Sequence, residues 1–349
     1  MADEDARSVA RRAPAERPGP GLATAGAVGG AATLVAVPWP TLGGPVLALV
    51  LGVVLREVLV RRGGGVTHVV PGARVASKVV LQAAVVLLGL GLSLAQVAAT
   101  GRESFPVLVG TLAVALVGGA VLGRALGLDH QVRTLVGVGT GICGASAIAT
   151  TSAVIGASEI AVATALTTIF VFNALGALLF PVIGSWLGLS QEAFGLWAGT
   201  AINDTSSVVA AGTAYGATAL GVAVVVKLTR TLAIVPIAIG LAVGERRRMR
   251  AVDDEGTREV RWWRLVPPFL VLFLVATAVN STGVVPGSWQ SPIAWLARLL
   301  TAVAMAGVGL LTPVEGLRRA GWRPLALGGL LALAVAGSSL ALQAATGLL

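Results

Sequence analysis

GTAINDTSSVV, residues 199–209, sets Asn203, Asp204, Thr205, Ser206 and Ser207 in one unbroken polar run. GLWA precedes it and VVAAG closes it, so the run stands inside an apolar stretch. Five consecutive residues cover more than one helical turn and cannot all lie on one packed face. Either the helix breaks here or a wet cavity surrounds it, because lipid offers polar groups no partners.

The rest of the chain supports that setting. Of 349 residues, 56% are hydrophobic and 12% charged, about half the charged share usual in soluble domains. Glycine is abundant, at 46 residues, without a collagen period. Glycine inside long apolar runs fits transmembrane helices packed closely on one another. The fold class expected is an all-α polytopic membrane protein.

Runs of about 20 apolar residues are needed per span. Eleven are expected, near 21–38, 42–60, 76–98, 105–125, 134–155, 159–183, 196–215, 218–243, 264–282, 291–312 and 325–346. Residues 1–20, rich in Pro and Arg, read as a disordered cytoplasmic tail. Residues 21–349 then form a single transmembrane transporter domain. Twenty-one of the 25 Lys and Arg fall on one side of this arrangement. The positive-inside rule makes that side cytoplasmic, with the N-terminus in and the C-terminus out. A formal charge of +9 therefore reads as topology rather than nucleic-acid binding. A multi-pass protein of the plasma (cell inner) membrane is expected, with the bilayer as its surroundings and a homo-oligomer as a further partner class.

Two internal similarities stand out. VVLLGLGLSLAQV (85–97) resembles AMAGVGLLTPVEGL (304–317), and GTGICGASAI (139–148) matches GTAINDTSSV (199–208) at an offset of sixty. The second pair lies in spans five and seven, which run parallel. Setting aside span one leaves ten, divisible into a five-plus-five inverted repeat of the kind secondary transporters use.

Three constellations carry chemistry. GTGICGASAIATTS (139–152) holds Gly139, Gly141 and Gly144, each costing about 1 kcal/mol in a helix interior. A break here would present half-helix N–H groups, aided by Ser146, Thr150 and Thr151, to an anion. The alternative is small-residue packing through Gly137, Gly141 and Ala145. The polar run supplies Asp204, either a proton carrier or the partner of Lys227 or Arg230 in an ion pair. KLTR (227–230), followed by Pro236, puts Lys227 and Arg230 on similar sides of one helix. They would give an anionic substrate a positive surround, or else snorkel to a wet edge. Cys143, the single cysteine, reads as a small packing residue more readily than a reactive thiol. His68 and His130 fall in loops far apart, so no metal site is expected. No P-loop or nucleophile elbow is present, and the spans hold no His and one Asp, so neither an enzyme nor a bound cofactor is expected.

ICGASAIA, GLWAGTAINDTSSVVAAG, KLTRTLAIVP and AMAGVGLLTPVEGLRRAGWRPLALG, with VLLGLGLSL before them, resemble motifs of the YeiH family, UPF0324-type bacterial membrane proteins labelled sulfate exporters. The likeness covers about residues 42 to 345. It implies a fold of inverted repeats with broken, crossing helices. By position, its characteristic residues fall on Cys143, Gly144, Ser146, Thr200, Asp204, Val208, Lys227 and Arg230. Asn203 stands where that pattern has a His, which leaves Asp204 as the obvious titratable group.

The function expected is secondary active transport of a small anion, sulfate or an organosulfonate, by export. Its site would comprise Gly141, Cys143, Gly144, Ser146, Thr200, Asn203, Thr205, Ser206, Ser207, Lys227 and Arg230, with Asp204 for the coupling ion. The alternatives are sodium-coupled transport of an organic anion, with Asp204, Asn203 and Thr205 as Na⁺ ligands, and a passive anion channel.

Overall fold

A computed structural model describes residues 18–36, 43–63, 66–250, 267–312 and 321–349. The expected tail falls almost wholly outside these, as do much of the basic loop after span eight and residues 313–320. Every regular element among the described residues is helical.

In chain order the helices are α1 (Gly19–Ala36), α2 (Gly44–Arg61), α3 (Val70–Gly89), α4 (Leu94–Ala125), α5 (His130–Gly141), α6 (Ala145–Ile155), α7 (Glu159–Trp186), α8 (Gln191–Ala201), α9 (Thr205–Tyr215), α10 (Ala217–Thr231), α11 (Ile234–Arg250), α12 (Pro268–Ser281), α13 (Gly287–Leu311) and α14 (Trp322–Thr346). Among the described residues, seven stretches are long and apolar enough to cross a membrane. They are α1, α3, α4, α7, α10 with the start of α11, α13 and α14. Each of the eleven expected stretches carries helix, but the third, fifth, seventh and eighth are each interrupted, the fifth and seventh near their middles. Large apolar side chains such as Phe105, Val121, Val182, Trp186 and Leu333 are exposed, which suits a lipid surround and would be a liability in water.

Boundaries differ from expectation most around residues 89–105. Span three was expected to run to 98, yet α3 stops at Gly89 and α4 begins at Leu94. The reason is a capping box. Ser93 Oγ accepts the Gln96 amide at 3.1 Å, and Gln96 Oε1 accepts the Ser93 amide at 2.9 Å. At its other end α3 starts early, with Pro71 in its first turn, and holds a π turn at Ala76–Val80. His130, expected in a loop, opens α5.

Glycine sets how closely the helices approach. A Cβ on Gly309 of α13 would run into the Leu49 carbonyl oxygen and stand 2.9 Å from Gly52 Cα of α2. The two backbones touch there, a packing available only to residues without side chains. Gly119 of α4 and Gly137 of α5 meet in the same way, at 2.7 Å from Cβ to Cα. The small-residue packing foreseen around Gly137 is thus present, alongside a helix break four residues later.

Replacing Gly309 by Val should push α2 and α13 apart and destabilise the protein by about 1–3 kcal/mol. Thermal unfolding of the purified protein in detergent measures this, and an unchanged midpoint would refute the contact.

Candidate functional site

The breaks at 142–144 and 202–204 are built alike. α5 and α8 end at Gly141 and Ala201, and α6 and α9 begin at Ala145 and Thr205. A helix end leaves its last carbonyls and first amides without partners, so two breaks expose four sets of orphan groups in the interior. The question is what satisfies each set.

The carbonyl ends are taken by the two cations of α10. Lys227 Nζ donates to the Ile142 and Ile202 oxygens, at 2.9 Å each. The Arg230 guanidinium donates to the carbonyls of Thr140, Gly141 and Thr200. Both side chains are buried, at 0% and 2% exposure. The pairing follows the internal repeat: Ile142 and Ile202 are sixty apart, as are Thr140 and Thr200. Each cation thus ties together equivalent positions of the two breaks. Helix C-terminal ends carry about −0.5 charge each, which supplies the counter-charge for these cations.

The amide ends differ from one another. At α9, Asp204 is the N-cap: its carboxylate accepts the Ser206 amide at 2.9 Å and also the Ser206 hydroxyl. Asn173 of α7 completes this end, its Oδ1 accepting the amides of Asn203 and Asp204 at 3.1 Å each. At α6 the equivalent position is Gly144, with φ +65° and no side-chain cap. That conformation favours glycine. A Cβ there would come within 3.6 Å of both Asn173 Nδ2 and Asp204 Cβ. The buried atoms Thr140 Oγ1, Asn173 Nδ2 and Asn203 Oδ1, all at the breaks, have no protein partner.

Both amide ends reach one cavity of about 590 Å³. Cys143, Ala145, Ser146, Ala149 and Thr150 line it from the first break, and Asp204, Thr205 and Ser206 from the second. Ser77, Lys78 and Gln82 of α3 add polar groups, while Phe170, Phe269, Ile234, Val308 and Leu311 add apolar ones. Lys78 is exposed and sits on the π turn of α3, a distortion that often marks functional sites. Lys78 and Asp204 are the charged groups among the described lining residues.

Of the twelve residues expected from sequence, five line this cavity: Cys143, Ser146, Asp204, Thr205 and Ser206. Gly141, Gly144, Thr200, Asn203, Lys227 and Arg230 form the layer behind it, and Ser207 is buried within α9. Lys227 and Arg230 therefore do not stand on the cavity wall as an anion's surround, nor do they snorkel. Their donors go to helix carbonyls, and among the described residues neither forms the ion pair with Asp204 that the sequence offered as an alternative. Thr200 instead bonds Ser339 of α14, oxygen to oxygen at 2.7 Å, and Trp197 Nε1 donates to the Ala336 carbonyl at 3.0 Å, which anchors α8 on α14. Asn173 and Lys78 were not foreseen as site residues. Asn173 is detectable as an isolated amide in TTIFVFNALGALLF, whereas Lys78 reads as one more basic residue at a span end.

The family model described as "Conserved hypothetical protein 698" matches residues 20–328. A UPF0324 membrane protein of Streptococcus pyogenes serotype M3 is 42% identical over 318 residues, covering 89% of this chain and 92% of that one. One from Clostridium tetani is 35% identical over 320 residues, with the same shares covered. The chain belongs to the UPF0324 membrane-protein family. The YeiH-type likeness read from its motifs is that membership, and both breaks and the KLTR segment fall inside the matched range of this UPF0324 protein. No solved structure matches it.

Two substitutions test the account of the breaks. Asn173→Leu strips the acceptor from two buried amides and should cost about 1–3 kcal/mol. Arg230→Met leaves three buried carbonyls without donors and should cost about 3 kcal/mol or more. Chemical unfolding in detergent should rank Arg230→Met as the more damaging. The opposite order would contradict the assignment of donors.

Proposed function

We propose that this UPF0324 protein is a secondary carrier of a small anion, with eleven crossings in the plasma membrane. The observation that carries the reading is the cavity onto which two half-helix amide ends open. An N-terminal end is worth about +0.5 charge and offers free N–H groups. At α9, Asp204 already neutralises that end. At α6 the N-cap Gly144 brings no side chain and the Cys143 sulfur takes the Ala147 amide, so an end without a carboxylate cap of its own, with Ser146 and Thr150 beside it, faces the cavity. Lys78 at the mouth adds a full positive charge. A bound anion is the missing partner of that arrangement.

The direction we propose is export, and the place of the cavity supports it. It is bounded by the middle of α3, the start of α12 and the end of α13, and the latter two ends adjoin basic segments of the sequence. The positive-inside rule makes that side cytoplasmic, so the cavity loads from the cytoplasm and export is the natural reading. Sulfate and organosulfonates are the substrates we propose. The five-plus-five inverted arrangement belongs to the same reading and rests on the ten spans that follow α1. Asp204 is the candidate proton carrier, since it is the acid on the cavity wall.

The test is counterflow of labelled sulfate in proteoliposomes, with and without a pH gradient. Counterflow is expected, and flux without saturation or exchange would point to a channel instead. Asp204→Asn keeps a side chain able to cap α9, so the variant should fold normally yet lose the effect of the pH gradient. Unchanged gradient dependence would remove Asp204 from coupling. Lys78→Gln should raise the half-saturating anion concentration several-fold at unchanged thermal stability. An unaltered half-saturation would exclude Lys78 from recognition.

A further inference from the structure

Lys227 and Arg230 hold the kind of oxygen that elsewhere binds a coupling ion. In carriers built on broken helices, half-helix carbonyl ends and unwound backbone coordinate the travelling cation. Here two such ends converge. Their five carbonyls, from Thr140, Gly141, Ile142, Thr200 and Ile202, all receive donors from α10.

The fit is specific in three respects. Lys227 Nζ lies 2.9 Å from Ile142 O and 2.9 Å from Ile202 O, so it sits evenly between the two breaks. Those carbonyls are equivalent in the sixty-residue repeat, so the position is a property of the pair and not of either helix alone. The ammonium is also wholly buried, out of reach of bulk ions. Charge points the same way. Two C-terminal ends amount to about −1, and the side-chain cations together carry +2. A soluble cation added among them would raise a buried positive surplus, which is costly without a new counter-charge.

We propose that Lys227 is a tethered cation, filling the monovalent-cation site that the C-terminal ends of α5 and α8 create. The protein then works without sodium, and removing the Lys227 side chain turns the crossing into a site for a soluble monovalent cation. Sodium coupling through these carbonyls is thereby replaced by a charge that never leaves the chain. Lys227 acts as a positioning residue, since it holds the two breaks in register and touches no cavity surface.

The experiment follows thermal unfolding of the full-length protein in detergent, at one ionic strength, in sodium, potassium, n-propylammonium or choline chloride. Wild type, Lys227→Ala and Lys227→Met are compared. Lys227→Ala keeps Cβ, and n-propylammonium supplies the missing carbons and nitrogen. The wild-type midpoint should be the same in all four salts. Lys227→Ala should melt several degrees lower and recover at least half of that loss, saturably, in n-propylammonium but not in choline. Lys227→Met, which fills the space without charge, should stay low in every salt. That contrast separates a cation site from simple loss of packing. A saturable rise of the wild-type midpoint with sodium would overturn the proposal, as would a Lys227→Ala protein that answers to none of the cations. Should Lys227→Ala not fold, the wild-type titration decides alone: indifference to sodium supports the proposal and saturable stabilisation overturns it. A flux arm rests on the carrier reading. Replacing sodium by choline on both sides of proteoliposomes should leave counterflow unchanged, and a sodium requirement would overturn the proposal. Absence of counterflow for any anion would count against the carrier reading and leave the unfolding result standing.

Discussion

Breaking two helices in the interior of a membrane protein strands backbone carbonyls where no water can reach them, and the Lys227–Arg230 pair is what makes the breaks tolerable. Each cation binds equivalent carbonyls of both breaks, so the two interruptions are fastened to each other as well as to α10. A neutral donor would satisfy the oxygens but not the negative ends of two helices. A lone cation would balance the charge of both ends but could not reach all five carbonyls. The architecture around the cavity follows from this tie, because the amide ends of α6 and α9 can face a common space only if the carbonyl ends of α5 and α8 are held together.

The amide ends show how a repeat becomes asymmetric. Sixty residues apart, Asp204 and Gly144 hold the same N-cap place. One brings a carboxylate and closes its helix end internally. The other brings no side chain and leaves its end open to the cavity. Asn173 stands between them, fixing the second break through two amides while its own Nδ2 remains without a protein partner beside Gly144. A single difference in side chain thus gives one break a carboxylate cap and leaves the other N-cap without a side chain.

Much of this was legible in advance. The apolar runs, the glycine-rich GTGICGAS, the polar NDTSS and their offset of sixty singled out the two stretches where breaks occur, while leaving packing or a wet cavity as the alternative to a break. KLTR was recognisable as two buried cations. What the sequence left open was their direction. An apolar helix with Lys and Arg three apart looks the same whether the charges face a ligand, an acid or a carbonyl. Asn173 and Lys78 were harder to see, since an isolated amide and a flanking lysine are common in membrane helices and acquire meaning only from what surrounds them.

The amino-acid sequence alone determined the class of molecule, the approximate spans and the stretches where a helix could fail, because hydropathy, glycine content and polar runs act locally. The tertiary structure decided which helix ends meet and which groups satisfy them. Lys227 lies 85 residues from Ile142 and 25 from Ile202, and no local rule relates those distances to a shared ammonium. Backbone polar groups have no sequence signature at all. Their need for partners is the same at every residue, and only the folded arrangement reveals where that need went unmet and which side chain answered it.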